Sequence, residues 1–289
     1  MERTGKAKII RTTVQMQQWS EQVQKQGETI CLVPTMGYFH QGHLSLMDAG
    51  KSVADHLVVS LFVNPTQFGA NEDFGAYPKN FDRDFNLAES RGAAVVFAPD
   101  SGEIYPPGFQ TSVVLSELPR NLCGLSRPVH FQGVATVVTK LFNIVKPRIA
   151  VFGCKDYQQL QVIRQLVKDL NFNIIIMGAP IVREVDGLAM SSRNVYLSPD
   201  ERKSALSLSS ALTLAERMIK QGETRCKPIL AAVTALILDH RDTRIDYATL
   251  CDPETLNAVD TITSPVLLAL AVKVGTTRLI DNRVIDPGQ

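Results

Sequence analysis

The sequence predicts an α/β protein, a parallel sheet covered by helices on both faces, with a second, smaller α+β domain after it. Three observations predict it. Through about the first 180 of the 289 residues, short apolar runs alternate with longer amphipathic stretches. That is the pattern of parallel strands joined by crossover helices. The pattern changes after about residue 183, which sets domains over 1–183 and 184–289. The length suits one large domain or two moderate ones.

The first predicted strand is 30–33, the uninterrupted apolar run Ile30, Cys31, Leu32 and Val33. Further runs rich in β-branched and other apolar residues follow at 57–63, 93–98, 149–152 and 173–177. Between them, helical spacing is read at 43–54, 81–90, 134–144 and 158–170. Beyond the change of pattern, Ser198, Pro199 and Glu201 form a helix start, with a capping serine, proline in the first turn and glutamate three residues on. A long helix to about residue 221 is expected, then one over 227–239, then strands at 246–251, 266–273 and 277–280. The polar stretch 183–187 carries Gly187, as a hinge would.

In such a fold ligands bind at the carboxyl ends of the strands, where the strand order reverses. The turn 34–43 follows the first strand and contains Met36, Gly37, His40, Gly42 and His43 before a helical pattern begins. A glycine-bearing turn running into a helix N-terminus offers backbone N–H groups and a helix dipole to an anion. The two histidines add hydrogen bonds or charge. On the residues alone, a phosphate contact and an unremarkable surface role stand level for His40 and His43. A metal role is weaker, because His56, His130 and His240 are scattered and no Cys-x-x-Cys occurs.

Other strand-end turns carry polar groups. Asn64 and Gln67 flank Pro65 and suit a ligand with hydroxyl or carboxylate groups, or simply a loop. Asp156 fits a helix cap. Lys155 beside it does not, since a cation at a helix N-terminus is unfavourable by about 0.3–1 kcal/mol, and an anion there would reverse the sign. Ser191, Ser192 and Arg193 offer two hydroxyls and a planar guanidinium to phosphate oxygens, although a polar loop ahead of a capped helix explains them equally.

Composition bounds the rest. A net charge of +1 argues against a general nucleic-acid binder. Five widely spaced cysteines point to reduced thiols and a cytoplasmic location rather than a disulfide framework. The charged N-terminus lacks the apolar core of a signal peptide, and no membrane-spanning run is present.

Taken together, several of these motifs resemble one family. Pro34-Thr35-Met36-Gly37 with His40-Gln41-Gly42-His43, Phe62-Val63-Asn64-Pro65-Thr66-Gln67-Phe68, Tyr77-Pro78-Lys79 and Arg127-Pro128-Val129-His130-Phe131 are similar to the pantoate–β-alanine ligases (pantothenate synthetases). So are Phe152-Gly153-Cys154-Lys155-Asp156-Tyr157-Gln158-Gln159-Leu160 and Asp186-Gly187-Leu188-Ala189-Met190-Ser191-Ser192-Arg193-Asn194. They stand in family order, from 30 to about 197, and the last ninety or so residues carry no comparable signature.

The resemblance implies a Rossmann-like domain of the nucleotidylyltransferase kind. It implies an ATP- and Mg²⁺-dependent ligase that makes pantoyl adenylate and then transfers the pantoyl group to β-alanine. By resemblance, His40, His43, Lys155 and Arg193 are catalytic, with His43 the candidate proton donor. Met36, Gly37, Gly153, Cys154, Asp156, Val182, Met190, Ser191 and Ser192 join these four in holding ATP. Gln67, Gln159 and Asn64 would hold pantoate and β-alanine, and Mg²⁺ would ride on the ATP phosphates without a firm protein ligand. A homodimer with no nucleic-acid or membrane partner is expected, with the second domain as a lid hinged near 184–187. Two positions depart from the family pattern: Gln132 stands where arginine is common, and Cys154 where glutamate often precedes the lysine. The rivals are another nucleotidylyltransferase on the same fold and a regulatory nucleotide-binding module without turnover.

Overall fold

The structure, a computed structural model, describes residues 6–69, 74–75 and 77–288. They divide into two compact units. One is drawn from Met1–Ser116, Arg127–Cys154 and Gln159–Pro180, the other from Glu117–Ser126, Lys155–Gln158 and Ile181–Gln289.

The first unit is built on six parallel strands: β1 (Lys8–Ile10), β2 (Ile30–Thr35), β3 (His56–Leu61), β4 (Ala93–Phe97), β5 (Ile149–Gly153) and β6 (Ile175–Ala179). Their order in the sheet is β1-β4-β3-β2-β5-β6. The chain moves outward from β2 through β3 to β4, then returns to β2's other side for β5 and β6. The order therefore reverses between β2 and β5, and a crevice is expected beyond their carboxyl ends. The helices are α1 (Thr13–Lys25), α2 (Gln41–Lys51), α3 (Phe81–Ser90) and the single turn α4 (Ser101–Ile104). Past α5 (Cys123–Ser126), a short helix of the second unit, come α6 (His130–Val145) and α7 (Tyr157–Asp169).

The continuous apolar run of β2 has a simple cause. Ile30 and Leu32 point into one packed layer with Val58, Val95, Phe97 and Val134, while Cys31 and Val33 point into the other with Leu44, Met47, Val59 and Val96. Both faces of the sheet are covered, so alternation has nowhere to place a polar residue. Each fully buried leucine or valine here contributes about 1.5–3 kcal/mol.

The second unit has an antiparallel sheet in the order β7 (Thr243–Cys251), β8 (Val266–Val274), β9 (Thr277–Ile285). The helices α8 (Pro199–Ala205), α9 (Ser207–Lys220) and α10 (Cys226–Leu238) belong to the same unit. It has its own core, with Leu208, Leu212, Ile229 and Val233 against Leu268, Leu270 and Val272. Ser198 and Glu201 make the expected reciprocal cap with Pro199 in the first turn.

The α/β fold class and the smaller α+β unit are as predicted, and the central strands fall within a few residues of their expected places. The strands expected at 246–251 and 277–280 are longer, as β7 (Thr243–Cys251) and β9 (Thr277–Ile285). Three further details differ. The single helix expected from 199 to about 221 is two, because Leu206 closes the end of α8 on Lys203 at 3.3 Å and α9 restarts at Ser207. No proline or glycine marks that break. The strand expected at 173–177 lies two residues later, as β6. Residues 8–25, for which no element is predicted, form β1 and α1. A three-residue edge strand is too short to show a period, and α1 buries only Met16, Ser20 and Val23.

Candidate active site

The turn after β2 is shaped by a carboxylate from α3. Gly37 has φ +90° and Tyr38 φ +54°, the left-handed region that a tyrosine rarely adopts. Asp84, only 1% exposed, accepts the N–H of Tyr38 at 2.6 Å through Oδ2 and that of Phe39 at 2.8 Å through Oδ1. A Cβ on residue 37 would come within 3.0 Å of the same carboxylate, so glycine is required there twice over. Arg83 donates to Phe39 O at 2.9 Å. Burial pushes the Asp84 carboxyl above its ordinary range, against the opposing pull of those two N–H groups and Arg83.

That turn delivers His40 to the N-cap of α2. His40 Nδ1 accepts from Gly42 N at 3.1 Å, and His43 Nδ1 accepts from His40 N at 3.3 Å. The two imidazoles thus form a reciprocal capping box, their rings 4.1 Å apart. His43 N and Leu44 N turn back onto His40 O. Most first-turn backbone donors expected to meet an anion are therefore occupied within the cap. With both Nδ1 atoms accepting, each imidazole in its neutral form carries its proton on Nε2, where it is a donor.

At the end of β3 a short 3₁₀ turn, Pro65–Gln67, holds Gln67 and Asn64, both buried. Gln67 Nε2 lies 3.0 Å from the Met36 sulfur, so the structure brings together the turns after β2 and β3. Gln67 O receives His130 Nδ1 at 2.9 Å and Arg127 Nη2 at 3.2 Å. Gly133 lets α6 approach this turn, since a Cβ there would lie 2.4 Å from Thr66 O. Gly153 ends β5. The Cys154 sulfur faces Gly178, where an added Cβ would meet it at 3.1 Å, and burial raises the thiol's pKa against the opposing charge of Arg164. Gln159 is half-buried in the first turn of α7.

In the second unit, Lys155 is 20% exposed, with Nζ 3.8 Å from Asp156 Oδ2. Its carbonyl accepts from Asn282 Nδ2 on β9 at 2.8 Å. The adjacent glutamines of the motif separate in role. Gln158 is buried, donating to Leu118 O and Asn121 O and accepting from Cys123 N, which makes it a structural clamp.

Val182 and Met190 are joined through Met190 N and Val182 O at 3.0 Å, and Arg183 pairs with Ala189. Residues 183–187 are thus part of a tight hairpin. Arg183 grips the buried Asp281 with two bonds of 2.7 and 2.9 Å, and Arg202 holds Glu184 at 2.6 Å and Asp186 at 2.7 Å. Partial burial pushes the Asp186 carboxyl up, but the bonds from Arg202 and Leu188 N outweigh it and hold the acid below its usual range. Ser191 caps the 3₁₀ turn Ser192–Tyr196 by accepting from Arg193 N at 3.3 Å, and Ser192 is buried. A depression of about 480 Å³ in the same unit, bordered by Arg183, Arg217 and Arg283, contains none of the predicted site residues.

Sequence reasoning did not assign roles to Asp84, Asn282 or Tyr105. Asp84 reads as an ordinary first-turn acid of α3, and the other two lie far in sequence from the groups they hold. Among the described residues, no three of His, Cys, Asp and Glu gather as metal ligands, and no helix is long and apolar enough to cross a membrane.

Fold and turn together define a class: an α/β protein whose strand order reverses between β2 and β5, with paired imidazoles in the turn that follows β2. Comparison with known proteins narrows it. The pattern of pantoate–β-alanine ligases matches residues 8–284. Pantothenate synthetase from Desulforapulum autotrophicum is 77% identical over 97% of this chain and 99% of its own length. That from Desulfatibacillum aliphaticivorans is 56% identical over 96% and 99%. Among solved structures, pantothenate synthetase from Thermus thermophilus superposes with a TM-score of 0.90 at 41% identity, covering 96% of this chain and 98% of its own. Pantoate–β-alanine ligase from Francisella tularensis, complexed with β,γ-ATP and β-alanine, gives 0.79 at 31% identity over 98% and 100%. The chain belongs to the pantoate–β-alanine ligase family, enzymes that form a carbon–nitrogen bond.

Proposed function

We propose that this chain condenses pantoate with β-alanine, driven by ATP, in two steps through pantoyl adenylate. The observation that carries the reading is the His40–His43 capping box at the N-terminus of α2, in the turn that follows β2 at the strand-order reversal, the same turn whose Met36 sulfur meets Gln67.

A free carboxylate resists attack by an amine because the departing group would be oxide. In the first step a pantoate carboxylate oxygen attacks the α-phosphorus of ATP. A P–O bond forms, the bond to the β-phosphate bridging oxygen breaks, and pyrophosphate leaves with that electron pair. In the second, the free amine of β-alanine attacks the acyl carbon. The C–O bond to phosphate breaks, AMP leaves, and the nitrogen gives up a proton as the amide forms. No side chain need become covalently attached, so the work is positioning and charge stabilisation.

In this reading His40 and His43 donate to ATP phosphates, with His43 the donor as pyrophosphate departs. Lys155 and Arg193 balance charge on the transferred and leaving phosphates, and Ser191 and Ser192 donate to them. Backbone at Met36, Gly37, Gly153, Cys154, Asp156, Val182 and Met190 packs on the nucleotide. A backbone role for Cys154 agrees with its sulfur facing Gly178. Gln67 and Gln159 hold pantoate, with Asn64 beside them. Mg²⁺ fits as a companion of ATP, since it favours phosphate oxygens and needs at most one or two carboxylates. Bound there, it would neutralise the departing pyrophosphate. A homodimer in the cytoplasm completes the reading, and sedimentation at the 31.8 kDa monomer mass would remove the dimer.

Pantoate-dependent exchange of labelled pyrophosphate into ATP tests the proposal. Exchange with pantoate alone, and pantothenate once β-alanine is added, is the expected result. Exchange with another acid or alcohol but not with pantoate would overturn it.

A further inference from the structure

The side chain of Gln67 is oriented by its neighbour Asn64. Asn64 Nδ2 donates to Gln67 Oε1 at 3.2 Å and to Gly133 O at 3.1 Å. Asn64 Oδ1 accepts from Tyr105 Oη at 2.8 Å, Thr66 Oγ1 at 2.9 Å and Thr66 N at 3.3 Å. This arrangement fixes the Asn64 amide one way round. Turning it over would put its NH₂ against the Thr66 N–H and its carbonyl against Gly133 O. With Oε1 held by Asn64, the amide is fixed so that its NH₂ group is turned toward the Met36 sulfur, a weak acceptor that a carboxylate or hydroxyl oxygen would outcompete. A ligand atom that meets this NH₂ is an acceptor.

We infer that Tyr105 is a positioning residue for the hydroxy-acid substrate, acting through Asn64 to keep Gln67 a hydrogen-bond donor. The inference deepens the reading above and rests on it. Tyr105 comes from the segment after β4, and the Lys140 ammonium lies over its ring at 5.9 Å and over that of Phe109 at 4.5 Å. The Phe109 ring stands edge-on to Tyr105 at 5.2 Å. The phenol is thus held by packing as well as by its bond to Asn64, and burial keeps it protonated, as a donor must be.

Tyr105→Phe keeps the ring and removes the hydroxyl. Losing one buried hydrogen bond of about 1 kcal/mol should raise KM for pantoate about fivefold, with KM for ATP unchanged and the melting temperature lowered by only about 2–4 °C. In a Gln67→Ala background the same change should add nothing, because its route passes through Gln67. An unchanged pantoate KM, or an equal loss in both backgrounds, would overturn the inference. The Gln67 side-chain amide protons, assigned by their absence in Gln67→Ala, give a readout that needs no substrate. They should shift and exchange faster in Tyr105→Phe, and unaltered signals would count against Tyr105 whether or not the wild type uses pantoate. Wild-type pyrophosphate exchange tests the parent reading separately.

Discussion

The Asp84 carboxylate on α3 accepts the backbone N–H of Tyr38 at 2.6 Å and so holds a tyrosine at φ +54°, two residues before the first histidine of the site. A non-glycine residue in that conformation costs of order 1–3 kcal/mol and persists only where its surroundings impose it. Here they are a buried carboxylate that also takes the Phe39 N–H and an arginine that takes the Phe39 carbonyl. The direction in which His40 and His43 point is thus set from an element forty residues further along the chain.

Asp84→Asn should separate function from stability. An amide offers one acceptor where the carboxylate offers two, so one of the two N–H groups loses its partner and the turn relaxes. Pyrophosphate exchange should fall at least about tenfold, in line with a misplaced catalytic group. Stability should respond in a pH-dependent way. The folded-state pKa of Asp84 is raised, so the group's contribution is fully present below its unfolded pKa of about 3.9 and is lost as pH rises through the folded value. Between pH 4 and 7 the variant should therefore gain stability relative to wild type. Melting curves across that range check the sign, and a difference that moves the other way would mean the carboxylate is favourably ionised.

His40→Asn divides the two roles of that side chain. Asparagine is a good N-cap and can accept the Gly42 N–H, but it has no counterpart to Nε2. The melting temperature should stay within a few degrees of wild type while exchange falls by about a hundredfold or more. His40→Ala should lose a further ~1 kcal/mol of stability through the cap. Near-normal exchange in His40→Asn would reduce the imidazole to a capping group.

Lys155 is anchored at its carbonyl by Asn282, so side chain and backbone can be probed independently. Lys155→Ala should lower the adenylation rate well over tenfold with the fold intact. Asn282→Ala should lower it less and raise KM for ATP, because the ammonium remains but its backbone is less firmly held. Single-turnover formation of pantoyl adenylate distinguishes the two, and equal losses in both variants would mean that Asn282 acts by another route.

What could be read from the sequence follows from how far each interaction reaches. The strands β2 to β5 were legible because both faces are buried and apolar runs are local. The turn from Met36 to His43 was legible because its glycine and histidines are contiguous. Asp84, Tyr105 and Asn282 were not, since each acts on a backbone or amide 41 to 127 residues away. The neighbours Gln158 and Gln159 show the same limit: identical in type, one is consumed by Leu118, Asn121 and Cys123, a fact of packing that no motif encodes. The capping box was half legible, because His-x-x-His marked the place while the habitual Ser/Thr…Glu signature was missing.

The cysteines supply a test of a mechanism without a side-chain nucleophile. Burial pushes the Cys31 and Cys251 thiols up to about 12, and it raises Cys226 with help from the Asp260 charge. At pH 8, four units below 12, only about one Cys31 or Cys251 in ten thousand is a thiolate, and the thiolate is the reactive form. A disulfide reagent should therefore leave Cys31, Cys226 and Cys251 unmodified in the folded protein and titrate all five thiols after denaturation. Cys123 and Cys154 are only half-buried, so the reagent reaches these two in the folded protein, Cys154 slowly because burial raises its thiol as well. Serine at both of those positions should preserve most of the pantoate-dependent exchange, because no bond to sulfur forms in either step. Mass spectrometry of the labelled protein identifies the modified sites. Loss of exchange in the double serine variant, with its melting temperature unchanged, would require a thiol in the reaction and a different first step.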